Sequence, residues 1–252
     1  MNAYGPLAAF YDDLTTDVPY ERFADYYEAV FQRCGLQVKT VLDMACGTGS
    51  MTKLLADRGY EMIAADASAE MLAVAREKTA GCPVAPLLLN QSFEELDLYG
   101  TVDAEVCCLD GVNYIEPENL DRALHRLWLF LEPGGVLIFD VNTPEKLRAL
   151  DGQVFFDETD DVFCLWRMEV DPAENVCIYG MDLFSRQGEL WRRDEEEHRE
   201  YLYEPEFLRQ RLLSGGFVDV RILGELSFLP PGPGEQRIMI LARKPKDGEQ
   251  YG

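Results

Sequence analysis

Basic residues are scarce in this chain. Against 46 aspartates and glutamates stand 23 lysines and arginines, a net charge of −23 over 252 residues. Such a field repels polyanions, so nucleic acid is not an expected partner. The longest mixed-sign run, Arg192 to Glu200, is itself mostly acidic and does not track a phosphate backbone; the charge reads as a well-solvated surface. Histidine is scarcer still. His125 and His198 stand too far apart for a usual zinc cluster, which leaves open only a metal site built of carboxylates. The seven cysteines, at 34, 46, 82, 107, 108, 164 and 177, are odd in number and contain no Cys-x-x-Cys. They build no disulfide framework, and within apolar runs they act as small hydrophobes, as in a reducing cytoplasm. No basic segment followed by an apolar run opens the chain, and no stretch has the length to span a bilayer. Neither a leader nor a membrane anchor is expected.

What is present is organised around Val38 to Thr52, Val-Lys-Thr-Val-Leu-Asp-Met-Ala-Cys-Gly-Thr-Gly-Ser-Met-Thr. Val38, Val41 and Leu42 are strand formers, and Asp43 to Gly49 gives a tight turn that brings bare backbone close to a ligand. Ser50 is placed to cap a helix that carries Met51, Leu54 and Leu55 on one face. Strand, glycine loop and helix dipole together make the entrance of a nucleotide cofactor, although a Gly-x-Gly alone is weak. Glu61 to Asp66 is a second strand, ending in an acid 19 residues beyond Gly47. That is close to the ~20-residue spacing at which doubly wound folds offer a carboxylate to ribose hydroxyls. The other reading of Asp66 is a helix cap, a duty for which Ser68 is better placed.

Further strands are expected at Pro83 to Asn90, Val102 to Leu109 and Val136 to Val141, the last after a break at Pro133-Gly134-Gly135. Between them a helix starts at Glu116 and Pro117, burying Leu120, Leu124, Leu127, Trp128 and Leu131 and leaving His125 at the surface. The alternation calls for a parallel sheet with right-handed crossovers. It delivers Asp110, Asn113, Tyr114 and Asn142 to the crevice at the strands' carboxyl ends. From Gln153 to Tyr203 the helical period vanishes. Runs at Val154 to Phe156, Val162 to Val170, Val176 to Phe184 and Leu190 to Tyr203 read as antiparallel strands in an inserted layer. A helix from Glu204 to Gly215 and strands at Phe217 to Leu223 and Arg237 to Ala242 complete the core. Near the start, Tyr20 to Cys34 has the apolar spacing of an amphipathic helix, and Tyr4, Tyr11 and Tyr20 either pack as core or fold over a ligand. The expected organisation is a cover segment, 1–35, a core of 36–150 and 204–243, an inserted subdomain, 151–203, and a flexible tail, 244–252.

On these residues the chain resembles the class I S-adenosylmethionine-dependent methyltransferases. Val41 to Gly49 looks like their first motif, Asp66 like their ribose acid, Gln91-Ser-Phe-Glu-Glu-Leu96 like their adenine loop, and Leu131 to Leu137 like the run into their fifth strand. The resemblance covers roughly 36–145 and 204–243, and the layout with its aromatic start and β insertion is similar to glycine N-methyltransferase, as in a branch of small bacterial methyltransferases. A nicotinamide cofactor fits less well, because the third glycine of its fingerprint would fall at Thr52. The resemblance implies a Rossmann-like α/β fold, a seven-stranded, mostly parallel sheet with helices on both faces, plus the inserted antiparallel layer.

It also implies S-adenosylmethionine as cofactor and S-adenosylhomocysteine as product. The cofactor residues it points to are Tyr20, Asp43, Ala45, Cys46, Gly47 and Gly49, then Asp66, Ala67 and Met71, then Gln91, Ser92, Phe93, Leu109 and Asp110. On the acceptor side stand Tyr11, Asn113, Tyr114 and His198, with Asn142 and Arg199 nearby in the pattern. His198, between Glu196 and Glu200, is a candidate proton acceptor; its other reading is a solvated or salt-bridged strand residue. The expected function is methyl transfer to a small molecule by in-line attack on the sulfonium methyl, in the cytoplasm, by a monomer or homodimer with no metal. The alternatives are a methyltransferase for RNA or protein, and a module that binds the cofactor and transfers nothing.

Overall fold

The computed structural model describes residues 4–249, so the expectations for residues 1–3 and 250–252 lie outside the described residues. A 3₁₀ turn and the short helix α1 (Tyr11–Leu14) lead into α2 (Tyr20–Arg33), which buries Phe23, Tyr26, Tyr27, Val30 and Phe31 on one face. The core then runs through β1 (Thr40–Met44), α3 (Ser50–Asp57), β2 (Glu61–Asp66), α4 (Ala69–Thr79) and β3 (Leu87–Asn90). It continues with β4 (Val102–Cys107), α5 (Leu120–Phe130) and β5 (Leu131–Asn142). After α6 (Pro144–Ala149) come the inserted strands β6 (Val154–Glu158), β7 (Val162–Asp171), β8 (Val176–Gln187) and β9 (Leu190–Tyr201). Helix α7 (Pro205–Ser214) and strands β10 (Val218–Gly224) and β11 (Arg237–Arg243) return to the core.

The core strands form a seven-stranded sheet in the order β10-β11-β5-β4-β1-β2-β3, parallel except for β11. Helices α5 and α7 pack on one face, α2 and α3 on the other. This is the Rossmann-like arrangement expected, and the inserted strands form the separate antiparallel sheet β6-β7-β8-β9. A small apolar cluster of Leu7, Val162, Cys164, Met181 and Leu183, with Tyr4, Phe10, Tyr11 and Leu14 around it, seats the N-terminal strap on the inserted sheet. Strand β6 is the sheet's outer edge and every one of its residues is exposed, Phe155 and Phe156 included. Among the described residues no helix is long and apolar enough to cross a membrane.

Several boundaries differ from the sequence pattern for identifiable reasons. Strand β3 starts only at Leu87, because Pro86 has no N–H for the ladder. Pro133-Gly-Gly135 does not break β5. Gly134 takes φ +88 and its N–H donates to Lys244 O, Gly135 O accepts Lys244 N–H, and the β4 register shift between Val102 and Ala104 absorbs the extra residues. Ser50 is the first residue of α3 and not its cap; Gly49, left-handed at φ 76, holds that position. Helix α5 begins at Leu120, three residues past Pro117, since Glu116 to Asn119 forms a separate turn. The tail expected to fray is tied down as far as Glu249: Lys244 Nζ donates to Leu131 O at 2.7 Å, and the Glu249 carboxylate pairs with Arg243.

Glu105 sits on β4 between Leu42 of β1 and Leu137 of β5, fully buried, with no hydrogen-bond partner for either carboxyl oxygen among the described residues. Burial pushes its carboxyl well above the usual range, against a partial pull from Lys244. The folded chain therefore keeps a proton that the unfolded chain releases above about pH 4.3, and the stability linked to it is lost as pH rises past that value. Glu105→Gln is expected to flatten the fall in unfolding free energy between about pH 5 and 8, by up to ~1.4 kcal/mol per pH unit in urea titrations. A wild-type profile no steeper than the variant's would refute the neutral carboxyl.

Candidate active site

The carboxyl ends of β1, β2 and β4 open onto a cavity of about 440 Å³. Its floor is the loop from Met44 to Thr48, where Ala45 and Gly47 take left-handed backbone at φ 56 and 54. A Cβ built on Gly47 would meet nothing within 4 Å, so the bend leaves open space at the loop crest. Asp66 fixes this bend. Its Oδ2 accepts Gly47 N–H and its Oδ1 accepts Ser68 N–H, both at 2.8 Å, joining the β1 loop to the β2 loop. Burial pushes the Asp66 carboxyl upward, and the two N–H groups oppose that shift. Beneath it Asp43, 1% exposed, accepts the Thr52 hydroxyl; burial pushes its carboxyl up to about 7.

The opposite wall is built the same way. Leu109 and Asp110 are both left-handed, at φ 63 and 54, and their N–H groups donate to the two oxygens of Asp140 at 2.8 and 2.9 Å. Arg237 reaches the same carboxylate and pairs with Asp110 at 2.7 Å. Gly111 then packs against the floor loop, where a Cβ would lie 2.7 Å from Cys107 Sγ and 2.9 Å from Ala45 Cβ. Met71, Ser92 and Phe93 close the side, and Tyr4, Tyr11, Tyr20 and Tyr114 the roof. Tyr4 spans that roof: its carbonyl accepts Ser68 Oγ at 3.1 Å and its hydroxyl donates to Tyr114 at 2.8 Å. Its N–H, with that of Leu7, donates to the Glu196 carboxylate of β9 at 2.8 and 2.9 Å. Asp12 pins the strap's far end, accepting Thr48 Oγ1 at 2.7 Å and Lys78 Nζ at 2.8 Å.

Most of the residues singled out from the sequence line this cavity: Asp43, Ala45, Cys46 and Gly47; Asp66, Ala67 and Met71; Ser92, Phe93 and Leu109; and Tyr11, Tyr20 and Tyr114. Five do not. Gly49 lies behind the loop, where its missing Cβ would sit 2.9 Å from Ala75 Cβ, so it serves the contact of α3 with α4. Gln91 turns its amide away to bond the backbone of Asp97 on both sides. Asp110 is held by Arg237, and only its backbone shapes the wall. Asn113 is fully buried and bridges the core to the insertion, donating to Tyr201 O at 3.0 Å while accepting Asn142 N–H at 3.0 Å. His198 is 2% exposed rather than solvated, behind Tyr4 and Tyr114, and Arg199 beside it faces outward. Tyr4 takes the covering place that the sequence left open beside core packing, and Ser68, read there only as a helix cap, also anchors this roof through the Tyr4 carbonyl. Among the described residues no His, Cys, Asp and Glu are grouped to hold a metal.

The methyltransferase domain family matches residues 41–135 of the chain. YqeM of Bacillus subtilis (strain 168), a protein that bears a methyltransferase name, is 30% identical over 247 residues, covering 96% of this chain and 98% of its own. The crystal structure of an S-adenosylmethionine-dependent methyltransferase from Clostridium acetobutylicum ATCC 824 superposes with a TM-score of 0.86 at 30% identity, covering 97% of this chain and all of that one. The chain belongs to the S-adenosylmethionine-dependent methyltransferases. The sugar N-methyltransferase KedS8 of Streptoalloteichus sp ATCC 53650 shares the fold at 19% identity, with a TM-score of 0.81 over 98% of this chain and 96% of that one.

The cavity of this methyltransferase suits its cofactor chemically. Its wall carries carboxylates and aromatic or thioether side chains but no lysine or arginine. That set suits an adenosine bearing a sulfonium cation, whose positive charge the carboxylates favour. Asp66→Ala is expected to weaken S-adenosylhomocysteine binding by at least about tenfold in calorimetry, the scale of hydrogen bonds to a charged group. An unchanged affinity would show that Asp66 holds only the two loops.

Proposed function

We propose that this enzyme methylates a small molecule, and that the acceptor binds in the cavity beneath the N-terminal strap. The observation that carries this reading is the roof. Tyr4, Tyr11 and Tyr20 cover the cavity from a strap clasped at both ends, which favours an acceptor small enough to reach beneath it. The net charge of −23 works against RNA. That KedS8 is a sugar N-methyltransferase supports an acceptor of this size class.

S-adenosylmethionine brings a methyl group already activated on a sulfonium. The protein's part is to bind, orient and keep water out. In this proposal Asp66 takes the ribose hydroxyls, the backbone from Ala45 to Gly47 the methionine portion, and Phe93 and Met71 enclose the adenine. Tyr11 and Tyr114 face the acceptor. Burial pushes both hydroxyls well above their ordinary value, so they stay protonated and act as hydrogen-bonding guides.

Incubation of the purified chain with S-adenosylmethionine and fractionated metabolites, read by mass spectrometry, tests the reading. S-adenosylhomocysteine is expected to accumulate with a low-molecular-weight fraction and not with bulk tRNA or denatured protein. Turnover confined to tRNA or protein would reverse the assignment, and binding without turnover in any fraction would make the chain a non-catalytic cofactor module.

A further inference from the structure

Strand β9 presents Glu196, His198 and Glu200 on one face, and all three are buried, at 5%, 2% and 3% exposure. Glu200 is satisfied by Asn142 Nδ2 at 2.7 Å. His198 is not: among the described residues neither ring nitrogen has an aligned hydrogen-bond partner. Its Nε2 lies 3.0 Å from Glu196 Oε2, a close contact with a carboxylate whose oxygens also hold the Tyr4 and Leu7 N–H groups. Burial works against the Glu196 charge, but the imidazole and those N–H groups outweigh it and hold the carboxyl below its usual range. Three rings enclose the imidazole: Tyr4 edge-on at 4.5 Å between centroids, Trp166 at 5.9 Å and Tyr114 at 6.4 Å. From the paired strand β8, Tyr179 stands opposite in the register.

Tyr4 and Tyr114 are therefore a shared wall. One side lines the cofactor cavity, the other packs on His198, and the hydroxyls of the two rings meet at 2.8 Å. An imidazole walled in, with a carboxylate against one nitrogen and no partner for the other among the described residues, carries a desolvation penalty that an apolar side chain of similar shape would avoid.

We propose that His198, oriented by Glu196, accepts the proton that the methyl acceptor releases, once the Tyr4–Tyr114 pair parts to admit it. This rests on the small-molecule reading above. With Glu196 against Nε2, the proton of the neutral ring sits on Nε2 and the lone pair on Nδ1. The acceptor's proton passes to Nδ1, the pair it leaves on the nucleophile forms the bond to the methyl carbon, and the methyl–sulfur pair stays on sulfur. The imidazolium that forms lies against the Glu196 carboxylate. Because Glu196 also ties down Tyr4 and Leu7, one side chain holds the strap shut and orients the base.

The chain has only two histidines, and His198→Gln is expected to assign their ¹⁵N imidazole signals. With S-adenosylhomocysteine bound in alkaline buffer, His198 is expected as the Nε2–H tautomer, and Glu196→Gln is expected to mix the tautomers. In turnover on a pool of small amines and alcohols, His198→Ala is expected to lose about a hundredfold or more in kcat and to regain about tenfold with added imidazole. Its affinity for S-adenosylhomocysteine is expected to stay within about threefold of wild type, since His198 meets the cavity only through the rings of Tyr4 and Tyr114 and lines none of it itself. A ring protonated on Nδ1, a tautomer indifferent to Glu196→Gln, a kcat held within about threefold, or a loss that imidazole leaves untouched overturns the proposal. If His198→Ala fails to fold, His198→Gln replaces it, and its kcat is read on the same scale. If wild type turns over no pool, the small-molecule reading fails by itself and the tautomer decides for His198.

Discussion

A carboxylate that accepts two backbone N–H groups where the loops leave the strands is the interaction on which the site depends. Asp66 does this between Gly47 and Ser68, and Asp140 does it for Leu109 and Asp110. Parallel strands end with their loops crowded at one edge of the sheet, and those loops turn sharply to leave a cavity. Ala45, Leu109 and Asp110 turn through left-handed backbone that costs a non-glycine residue about 1–2 kcal/mol each. Charge-assisted hydrogen bonds are strong enough to hold such turns, and Arg237 neutralises the deeper of the two carboxylates. Asp66 acts from within the cavity lining, and Asp140 from behind the wall.

The roof follows from a second use of the same device. Glu196 holds the strap by two N–H groups that lie 192 and 189 residues away in sequence, and Asp12 ties the strap's other end to Thr48 and Lys78. Apolar packing of Leu7 and its neighbours on β7 and β8 adds the area that fixes the strap on the inserted sheet. Two polar clasps and one apolar seat make a cover whose parts are supplied by the start of the chain and by an insertion near its end.

The core was legible because its signals are local. Apolar strands, helical periods and glycine turns repeat at short spacing, and the sheet order then follows from the handedness of the crossovers. The floor of the cavity was legible for the same reason, since Asp43 to Gly49 and Asp66 lie at the ends of consecutive strands. Residues whose duty depends on distant partners were not. Gln91 and Asn113 have the chemistry of ligand contacts but spend it on Asp97, Asn142 and Tyr201. Strand β9 gives no hydrophobic alternation to show its inner face, because Glu195, Glu197 and Arg199 on one side are as polar as Glu196, His198 and Glu200 on the other. Only the packing of Tyr4 against that strand shows which set is inside.

Strand β6 carries a different consequence. It leaves one side of its ladder open, and Val154, Phe155 and Phe156 along it are all exposed. An edge of this kind is a template for another strand, and natural sheets commonly guard such edges with charge. Here the guard is Asp157, Glu158 and the surplus of negative charge over the whole chain. Repulsion between like-charged copies is long-ranged in dilute buffer but is cut to roughly 8 Å at physiological ionic strength and about 3 Å in molar salt. Raising the salt therefore weakens the guard on β6, and it does so for a chain whose net charge of −23 otherwise keeps its copies apart.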